Sequence, residues 1–331
     1  MSTDVLDRPA QQPAAAPTAL RFAPLTPLIG SEVSGIDLRD ELDASTVAAL
    51  RQALVDRKVL FFRDQPITDA EQVRFSRYFG GVTPAHPVTN GISEEQPEVK
   101  RNVKSEPEVK RGSSFTEAEA QLWRAQSRPH RARGWHTDIT FLANPADFSL
   151  LRGVKIPPVG GDTAWADLEA LYDSLSPALQ RFADTLQVAH ARYDAAAGHP
   201  PPPRWDGRTS GPFLAIHPLV RVHPESGRKA LFVGGFAKYI VGLSESESDT
   251  LLTYFKEELA GRLDLHVRFR WTPDSLAVWD NRSTVHWGPV DGRNFHDERI
   301  VHRTTVGASH ATGPDGFVSR QVVGEPFYTL D

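Results

Sequence analysis

The chain has 331 residues, 24% of them charged, with a formal net charge of −5 at pH 7. This acidic balance and the lack of a long basic run argue against a nucleic-acid partner. No apolar stretch approaches the roughly 20 residues that a membrane-spanning helix needs. There is no cysteine, which excludes disulfides, zinc–thiolate sites, iron–sulfur clusters and a cysteine nucleophile. Any bound metal would therefore be held by nitrogen and oxygen atoms.

The first 20 residues are rich in Pro and Ala and carry acidic residues early, without a basic stretch ahead of an apolar core. This composition predicts a disordered tail over residues 1–20 rather than a signal peptide. It also predicts a cytoplasmic protein.

Several helices are predicted from their periodicity and their caps. A helix over 46–57 precedes the apolar run 59–62, which suits a buried strand. A side-chain oxygen at the first position can accept a hydrogen bond from the backbone of the first turn. The other predicted helices begin at such residues, namely Thr68 with Glu71 (ending at Phe79), Ser176 before Pro177, and Ser244 with Glu247 (ending near Leu259).

Strand-like segments dominate the second half of the chain and do not alternate regularly with helices. In one of them Val267, Phe269 and Trp271 alternate with polar residues, as a strand with one buried face requires. An all-β core with flanking helices (α+β), built as an antiparallel sandwich or barrel, is therefore predicted. The predicted strands are 148–156, 187–193, 214–222, 229–233, 265–271, 275–280 and 299–306.

Two segments are predicted to be long loops. Residues 90–134 carry many charges and few apolar side chains, and residues 195–212 include four consecutive prolines. Long loops in compact domains are often disordered or serve as lids. Because the segment 90–134 leads directly into the candidate metal ligands, it is a candidate lid, with an inert surface loop as the open alternative.

The candidate metal ligands begin with the tetrapeptide WHTD at residues 135–138. In an extended segment His136 and Asp138 project to the same side and can bind one ion. A third ligand must come from elsewhere, and His286 is the leading candidate. Two imidazoles and one carboxylate on one face of an octahedral ion leave positions open for a co-substrate and O₂, as in non-haem Fe(II) oxygenases. A lone His-x-Asp triplet is common by chance, so the assignment depends on its context.

That context resembles the taurine dioxygenase/TfdA family. The resemblance implies a double-stranded β-helix (jelly roll), with residues 21–331 as a single oxygenase domain. It implies Fe(II), with 2-oxoglutarate and O₂ as co-substrates, and a homo-oligomer (dimer or tetramer). It also supports His136, Asp138 and His286 as the metal ligands. The motifs occur in family order and read WHTDITF at 135–141, GGDTAW at 160–165, HPLVRVHP at 217–224, WDNR at 279–282 ahead of His286, and RIVHR at 299–303.

The same resemblance assigns the co-substrate site. Arg303 matches the family arginine that pairs with the distal carboxylate of 2-oxoglutarate, and a planar guanidinium fork fits that group. Thr163 matches the threonine whose hydroxyl bonds the same carboxylate. Arg299 matches a second arginine near the co-substrate and shares a strand face with Arg303. His302 has the opposite parity and is expected to be structural.

For the primary substrate, His86 matches a family histidine that contacts an anionic head group. Thr89 stands where taurine dioxygenases have a tyrosine, which disfavours taurine itself. Phe236 and Trp287 are candidates for an apolar part of the pocket. The predicted partner is therefore a small organic anion, such as an alkyl sulfate, a sulfonate or a carboxylate.

Alternative functions stay open at this stage. Desaturation or oxidative decarboxylation would use the same cofactors. A non-oxidative hydrolase or lyase on a cupin-like barrel would use the same three ligands, but it would not need Thr163 and Arg303. A non-catalytic jelly roll would not need an intact set of ligands. Halogenation is disfavoured because Asp138 fills the position that halogenases leave empty.

Overall fold

A computed structural model describes residues 19–104, 134–192, 204–208, 211–288 and 298–330. Most of the predicted N-terminal tail, the greater part of the candidate lid and most of the loop predicted at 195–212 lie outside these ranges. Within them, no helix combines the length and the apolar character needed to cross a bilayer.

Short strands make up most of the regular structure, with a few helices beside them. The helices are α1 (Ala44–Arg57), α2 (Asp69–Arg77), α3 (Leu168–Asp173), α4 (Pro177–Ala183) and α5 (Glu245–Gly261). The strands are β1 (Arg21–Pro24), β2 (Ser31–Ser34), β3 (Val59–Phe62), β4 (Lys100–Lys104), β5 (Phe148–Lys155), β6 (Thr163–Asp167), β7 (Gln187–Arg192), β8 (Phe213–Pro218), β9 (Val220–Val222), β10 (Lys229–Leu231), β11 (Ala237–Ile240), β12 (His266–Phe269), β13 (Leu276–Asp280), β14 (Thr284–Trp287), β15 (Arg299–Val306) and β16 (Arg320–Val323).

The helix caps predicted from the sequence are present. Thr68 and Glu71 form the capping box of α2, with the Thr68 hydroxyl accepting from the Glu71 backbone at 3.2 Å and the Glu71 carboxylate accepting from the Thr68 backbone at 2.7 Å. Ser244 begins α5 in the same way. Helix α1 begins two residues before the predicted start, because Asp43 serves as its N-cap. Helix α2 ends two residues before the predicted Phe79.

The largest sheet has seven strands in the order β1-β2-β3-β13-β5-β15-β4. Its pairs are antiparallel except for β2 with β3. The described residues also form a four-stranded sheet (β11-β7-β8-β16), a three-stranded sheet (β12-β6-β14) and the pair β10-β9. A sheet-rich core with flanking helices is confirmed.

An aromatic cluster joins the seven-stranded sheet to the three-stranded sheet. Phe61 on β3 stacks on Phe269 of β12 with ring centroids 4.3 Å apart. Trp165 on β6 lies edge-on to Phe61 at 5.2 Å and to Trp279 of β13 at 5.5 Å. Large buried aromatic side chains contribute strongly to packing energy. The two sheets are therefore held in a fixed relation, which matters because each carries part of the site.

The segment 90–134 is not a loop throughout, and the prediction is wrong for residues 100–104. These residues form β4, which pairs with β15 at the edge of the large sheet, with Lys100 opposite Arg303. Their charges concealed the strand, because an edge strand tolerates charged side chains that a central strand does not. The four-residue strand β14, which carries His286, was not predicted either.

Candidate metal centre

Two of the predicted ligands lie side by side because the backbone pairs them. The His136 N–H donates to the His286 carbonyl at 3.0 Å, and the His286 N–H donates to the His136 carbonyl at 2.8 Å. Directly paired residues of an antiparallel ladder project to the same side. The two imidazole centroids are accordingly 4.3 Å apart.

Asp138 completes a cluster of three donors. One ligand atom from each of His136, Asp138 and His286 lies within 4.8 Å of the other two. Small side-chain rotations would bring these atoms onto a single ion. Two imidazole nitrogens and one carboxylate oxygen are the donor set of the facial triad that binds Fe(II) and leaves other positions open. The residues present therefore fit such an ion.

Hydrogen bonding orients the His136 ring. Its Nδ1 lies 2.7 Å from the carbonyl oxygen of Gly134. A carbonyl can only accept, so Nδ1 carries the hydrogen and Nε2 is left with a lone pair for a metal. The Nδ1 of His286 is buried and has no hydrogen-bond partner among the described residues, so no bond at that atom dictates which nitrogen faces an ion.

Asp138 is oriented by a chain of buried hydrogen bonds. The Ser149 hydroxyl donates to Asp138 Oδ2 at 2.7 Å, and it accepts from Asn281 Nδ2 at 2.9 Å. The Trp279 indole N–H in turn donates to Asn281 Oδ1 at 2.9 Å. Such partners fix the direction of a ligand carboxylate. Ser149 and Asn281 were not predicted as site residues, since only the pairing of β5 with β13 brings them together.

Arg303 lies at the metal ligands. Its Nη1 donates to Asp138 Oδ1 at 2.5 Å. Burial alone would raise the pKa of Asp138, but Arg303 and the two imidazoles hold that pKa well below its usual range. The carboxylate is therefore ionised. The Nε and Nη2 of Arg303 have no hydrogen-bond partner among the described residues, and they stay available for an anion.

The Trp271 side chain connects Arg299 to Thr163. The Arg299 guanidinium carbon is 5.8 Å from the centre of the Trp271 ring, and the Trp271 N–H donates to Thr163 Oγ1 at 3.0 Å. A Cβ added at Gly161, where φ is +73°, would lie 2.7 Å from Arg299 Cδ. Only glycine leaves room for the arginine here. These contacts connect Arg299 to Thr163 through Trp271, and the assignment of Arg303, Thr163 and Arg299 to 2-oxoglutarate stays a prediction.

Two of the substrate candidates, Phe236 and His86, lie near these groups. The Phe236 ring is edge-on to His136 at 6.1 Å. His86 is buried and its Nδ1 accepts from the Val88 backbone at 3.1 Å. Burial, followed by the charges of Lys100 and Arg303, lowers the pKa of His86 well below its ordinary value. The hydroxyl of Thr89 is buried and has no hydrogen-bond partner in the described part of the chain.

Trp287 lies elsewhere. It follows His286 on β14 and therefore projects to the opposite face of that strand. Its ring packs 5.8 Å from that of Trp135 and against Gly134. The structure does not bring this predicted pocket residue together with the others.

With this geometry in place, comparison with known proteins identifies the family. The model for "Taurine catabolism dioxygenase TauD, TfdA family" matches residues 21–305. The chain belongs to this family.

Individual members of the TauD/TfdA family align with nearly the whole chain. It is 35% identical over 324 residues to an alkylsulfatase of Acinetobacter baylyi, covering 95% of this chain and 91% of that protein. It is 36% identical over 317 residues to an alpha-ketoglutarate-dependent sulfate ester dioxygenase of Pseudomonas putida, covering 93% and 96%. The crystal structure of a taurine dioxygenase from Burkholderia xenovorans superposes with a TM-score of 0.79 at 37% identity, covering 93% of this chain and 96% of that one.

These likenesses confirm the predicted reaction class. The protein is an Fe(II)- and 2-oxoglutarate-dependent dioxygenase, alpha-ketoglutarate being another name for 2-oxoglutarate. It is thus an oxidoreductase that uses O₂. The non-oxidative hydrolase considered from the sequence is not favoured.

Proposed function

We propose that this dioxygenase oxidises alkyl sulfates at the carbon bonded to the ester oxygen. The observation that carries the proposal is that hydrogen-bond donors and an apolar ring lie together beside the metal ligands. Arg303 keeps two buried donors there without a protein partner among the described residues, while Phe236 presents an apolar ring to His136. A short alkyl chain with an anionic head matches both features. Two relatives that cover more than nine-tenths of this chain carry names of sulfate ester enzymes.

In this proposal His136, Asp138 and His286 hold Fe(II). Fe(II), with O₂ and 2-oxoglutarate, supplies the oxidising power for a C–H bond. The protein's part is to keep the three ligands in place. Gly134 keeps the His136 tautomer, and Ser149 keeps the Asp138 carboxylate directed at the ion.

Arg299 and Thr163 are proposed to hold the distal carboxylate of 2-oxoglutarate. Because Trp271 donates to Thr163 Oγ1, that oxygen's own hydrogen is free to be donated to a carboxylate. The Arg299 guanidinium offers a planar pair of donors to the same group. Arg303, which donates to Asp138, then lies beside the metal ligands, where the substrate is oxidised.

The overall reaction accounts for every atom. One oxygen atom of O₂ goes into succinate as 2-oxoglutarate loses CO₂, and the other is inserted into the substrate C–H bond. The resulting carbon carries both a hydroxyl and a sulfate ester. It collapses to an aldehyde as the C–O bond to sulfate breaks, and the hydroxyl proton leaves with the released anion. Hydroxylation farther along the chain would give a stable alcohol instead.

The proposal also covers the fold, the oligomeric state and the cellular location of the protein. We infer that the sheets wrap into a double-stranded β-helix over residues 21–331, in a dimer or tetramer that works in the cytoplasm. Support comes from the antiparallel pairing of the strands and from the TM-score of 0.79 to a solved family structure. Size-exclusion chromatography with light scattering tests the oligomer.

Product analysis tests the reaction. The purified enzyme is incubated with Fe(II), 2-oxoglutarate, O₂ and hexyl sulfate, and succinate, sulfate and hexanal are measured. We expect the three products in equal amounts, and none without O₂. Sulfate release without O₂ would support a hydrolase and contradict the proposal. Succinate formation with alkyl carboxylates but not with alkyl sulfates would contradict the substrate class.

A further inference from the structure

One tight turn connects the seven-stranded sheet to the three-stranded sheet beside the metal centre. Residues 280–284 lead from the end of β13 to the start of β14, where His286 follows. Two hydrogen bonds close the turn. Asp280 Oδ1 accepts from the Arg282 backbone at 2.8 Å, and the Asp280 carbonyl accepts from the Thr284 hydroxyl at 2.7 Å. The conformation of Asp280 therefore determines how the chain enters β14.

The same turn contacts the segment that carries the other two predicted ligands. The Thr137 hydroxyl, in the middle of the WHTD tetrapeptide, donates to the Thr284 carbonyl at 2.7 Å. The Asn281 amide reaches Asp138 through the Ser149 hydroxyl. All these groups are buried. Each of the three predicted ligands is thus connected to the turn, either along the backbone or through buried hydrogen bonds.

A histidine from a distant part of the chain holds the side chain of Asp280. His223 follows β9, and its Nδ1 accepts from the backbone N–H groups of Glu225 at 3.2 Å and Ser226 at 3.1 Å. A ring nitrogen that accepts carries no hydrogen, so the ring hydrogen is on Nε2. Nε2 lies 3.0 Å from Asp280 Oδ2 and therefore donates to it. Both side chains are buried.

Arg282 supplies the other side-chain donors to this carboxylate. Its Nε donates to Asp280 Oδ1 at 2.9 Å and its Nη2 donates to Oδ2 at 2.6 Å. Burial alone would raise the pKa of Asp280, but Arg282 and His223 hold that pKa well below its usual range. The carboxylate is therefore ionised. Loss of any one donor would leave a buried charge incompletely hydrogen-bonded, which is costly.

We propose that His223 is a positioning residue for the metal centre and that it acts through Asp280 and the turn 280–284. The inference rests on the proposed function, since it takes the three predicted residues as the Fe(II) ligands. Without the Nε2–H of His223, the Asp280 carboxylate rotates to find another donor, and its bond to the Arg282 backbone is lost. The turn then shifts, and with it His286 and the bonds to the other ligands. Metal affinity depends on such outer partners.

Two substitutions separate the two functions of the His223 ring. His223→Asn keeps an acceptor near the position of Nδ1 but has no donor that reaches Asp280, whereas His223→Gln keeps a donor near the position of Nε2. Anaerobic Fe(II) titration of the metal-free protein measures both variants. We expect His223→Asn to raise the Kd of Fe(II) about tenfold, and His223→Gln to raise it less than about threefold.

Leu38→Ala is the control for a general loss of stability. Leu38 is buried in a hydrophobic cluster with residues of α1 and β3, so its truncation should lower the melting temperature. Its Fe(II) affinity should equal that of wild type. If Leu38→Ala weakens Fe(II) binding as much as His223→Asn does, the effect comes from stability alone and the inference is rejected.

A double-mutant cycle tests whether His223 acts through Asp280. Asp280→Asn should raise the Kd of Fe(II) at least as much as His223→Asn, and the double variant should match Asp280→Asn alone. Additive effects of the two substitutions would overturn the proposed route. If Asp280→Asn fails to fold, the comparison of His223→Asn with His223→Gln decides the matter.

Other outcomes separate this inference from the proposed function. Wild-type Fe(II) affinity in His223→Asn would overturn the inference alone. An equal loss of affinity in His223→Asn and His223→Gln would do the same, because it would show that His223 serves only its own turn. Wild-type Fe(II) affinity in His286→Ala would instead refute the proposed metal ligands.

Discussion

Asp138 is oriented by residues that lie far from it along the chain. Ser149 is eleven positions away, and Asn281 reaches it only through the hydrogen bond to Ser149. The His-x-Asp spacing could be predicted from the sequence because it is local. The residues that hold the carboxylate could not, since they depend on which strands pair and in which register.

Ser149→Ala tests this orientation. Loss of the hydroxyl leaves Asp138 Oδ2 without its donor, and we expect Fe(II) affinity to fall about 10- to 100-fold, as is typical for such partners. Anaerobic Fe(II) titration measures it. Ser76→Ala removes another buried hydroxyl, which hydrogen-bonds Thr304 at 2.7 Å, and serves as the control with unchanged metal affinity. Equal Fe(II) affinity in Ser149→Ala and wild type would contradict the assignment.

Arg299→Lys tests the co-substrate site. A point charge would replace a planar fork, so the Kd of 2-oxoglutarate should rise by the equivalent of about 1–3 kcal/mol. Trp271→Phe should cost less, since it removes the hydrogen bond to Thr163 but keeps an aromatic ring beside Arg299. Arg268→Lys is the control, because Arg268 is exposed and pairs with Asp162. If Arg303→Lys lowers 2-oxoglutarate affinity and Arg299→Lys does not, the family-based assignment to Arg303 is the correct one.

Among the elements, those with local signals were predicted well. The capping residues of α2 and α5 specify their starts within the span of four residues, and both starts were found where expected. Strands β4 and β14 carry no comparable signal. β14 has four residues, too few for a periodic pattern, and β4 reads KRNVK, a charged run that indicates a loop. Both form because a partner strand from another part of the chain offers hydrogen bonds, β15 to β4 and β6 to β14.

Helix α2 gives a prediction at this scale. It brings Asp69 and Gln72 to β15, where Asp69 accepts from His302 Nδ1 at 2.6 Å. His302 is therefore structural, as its strand parity predicted. Thr68→Ala removes the N-cap and should lower the free energy of unfolding by about 1 kcal/mol in urea titrations. Thr250→Ala, on the exposed face of α5, should leave it unchanged or slightly higher. A Thr68→Ala protein as stable as wild type would show that the cap contributes nothing.

At the scale of the whole molecule, buried neutral histidines limit stability in acid. His217 donates from Nε2 to the Thr140 carbonyl at 2.7 Å, and its Nδ1 lies 2.7 Å from the Ser319 hydroxyl. Burial lowers its pKa to about 3. Between that value and its ordinary 6.5 the unfolded chain binds a proton that the folded protein does not. The free energy of unfolding therefore falls as the pH is lowered through this window.

Urea titrations of the metal-free protein at pH 7 and pH 5 measure this effect. His217 alone should account for about 1–2 kcal/mol of the loss between the two pH values. His217→Gln should show a correspondingly flatter dependence, from a lower starting stability. An unchanged slope in His217→Gln would show that other groups cause the acid sensitivity.

The backbone bridge between residues 136 and 286 uses no side-chain atom. The distance between these two residues is thus set by the backbone pairing, and it does not depend on which metal-binding side chains they carry. Replacing either imidazole by another donor would alter which metal is held, and with it the redox chemistry, while the frame stayed as it is. The backbone pairing therefore does not depend on which side chain binds the metal. A single substitution at residue 136 or 286 should change the metal preference without changing the fold.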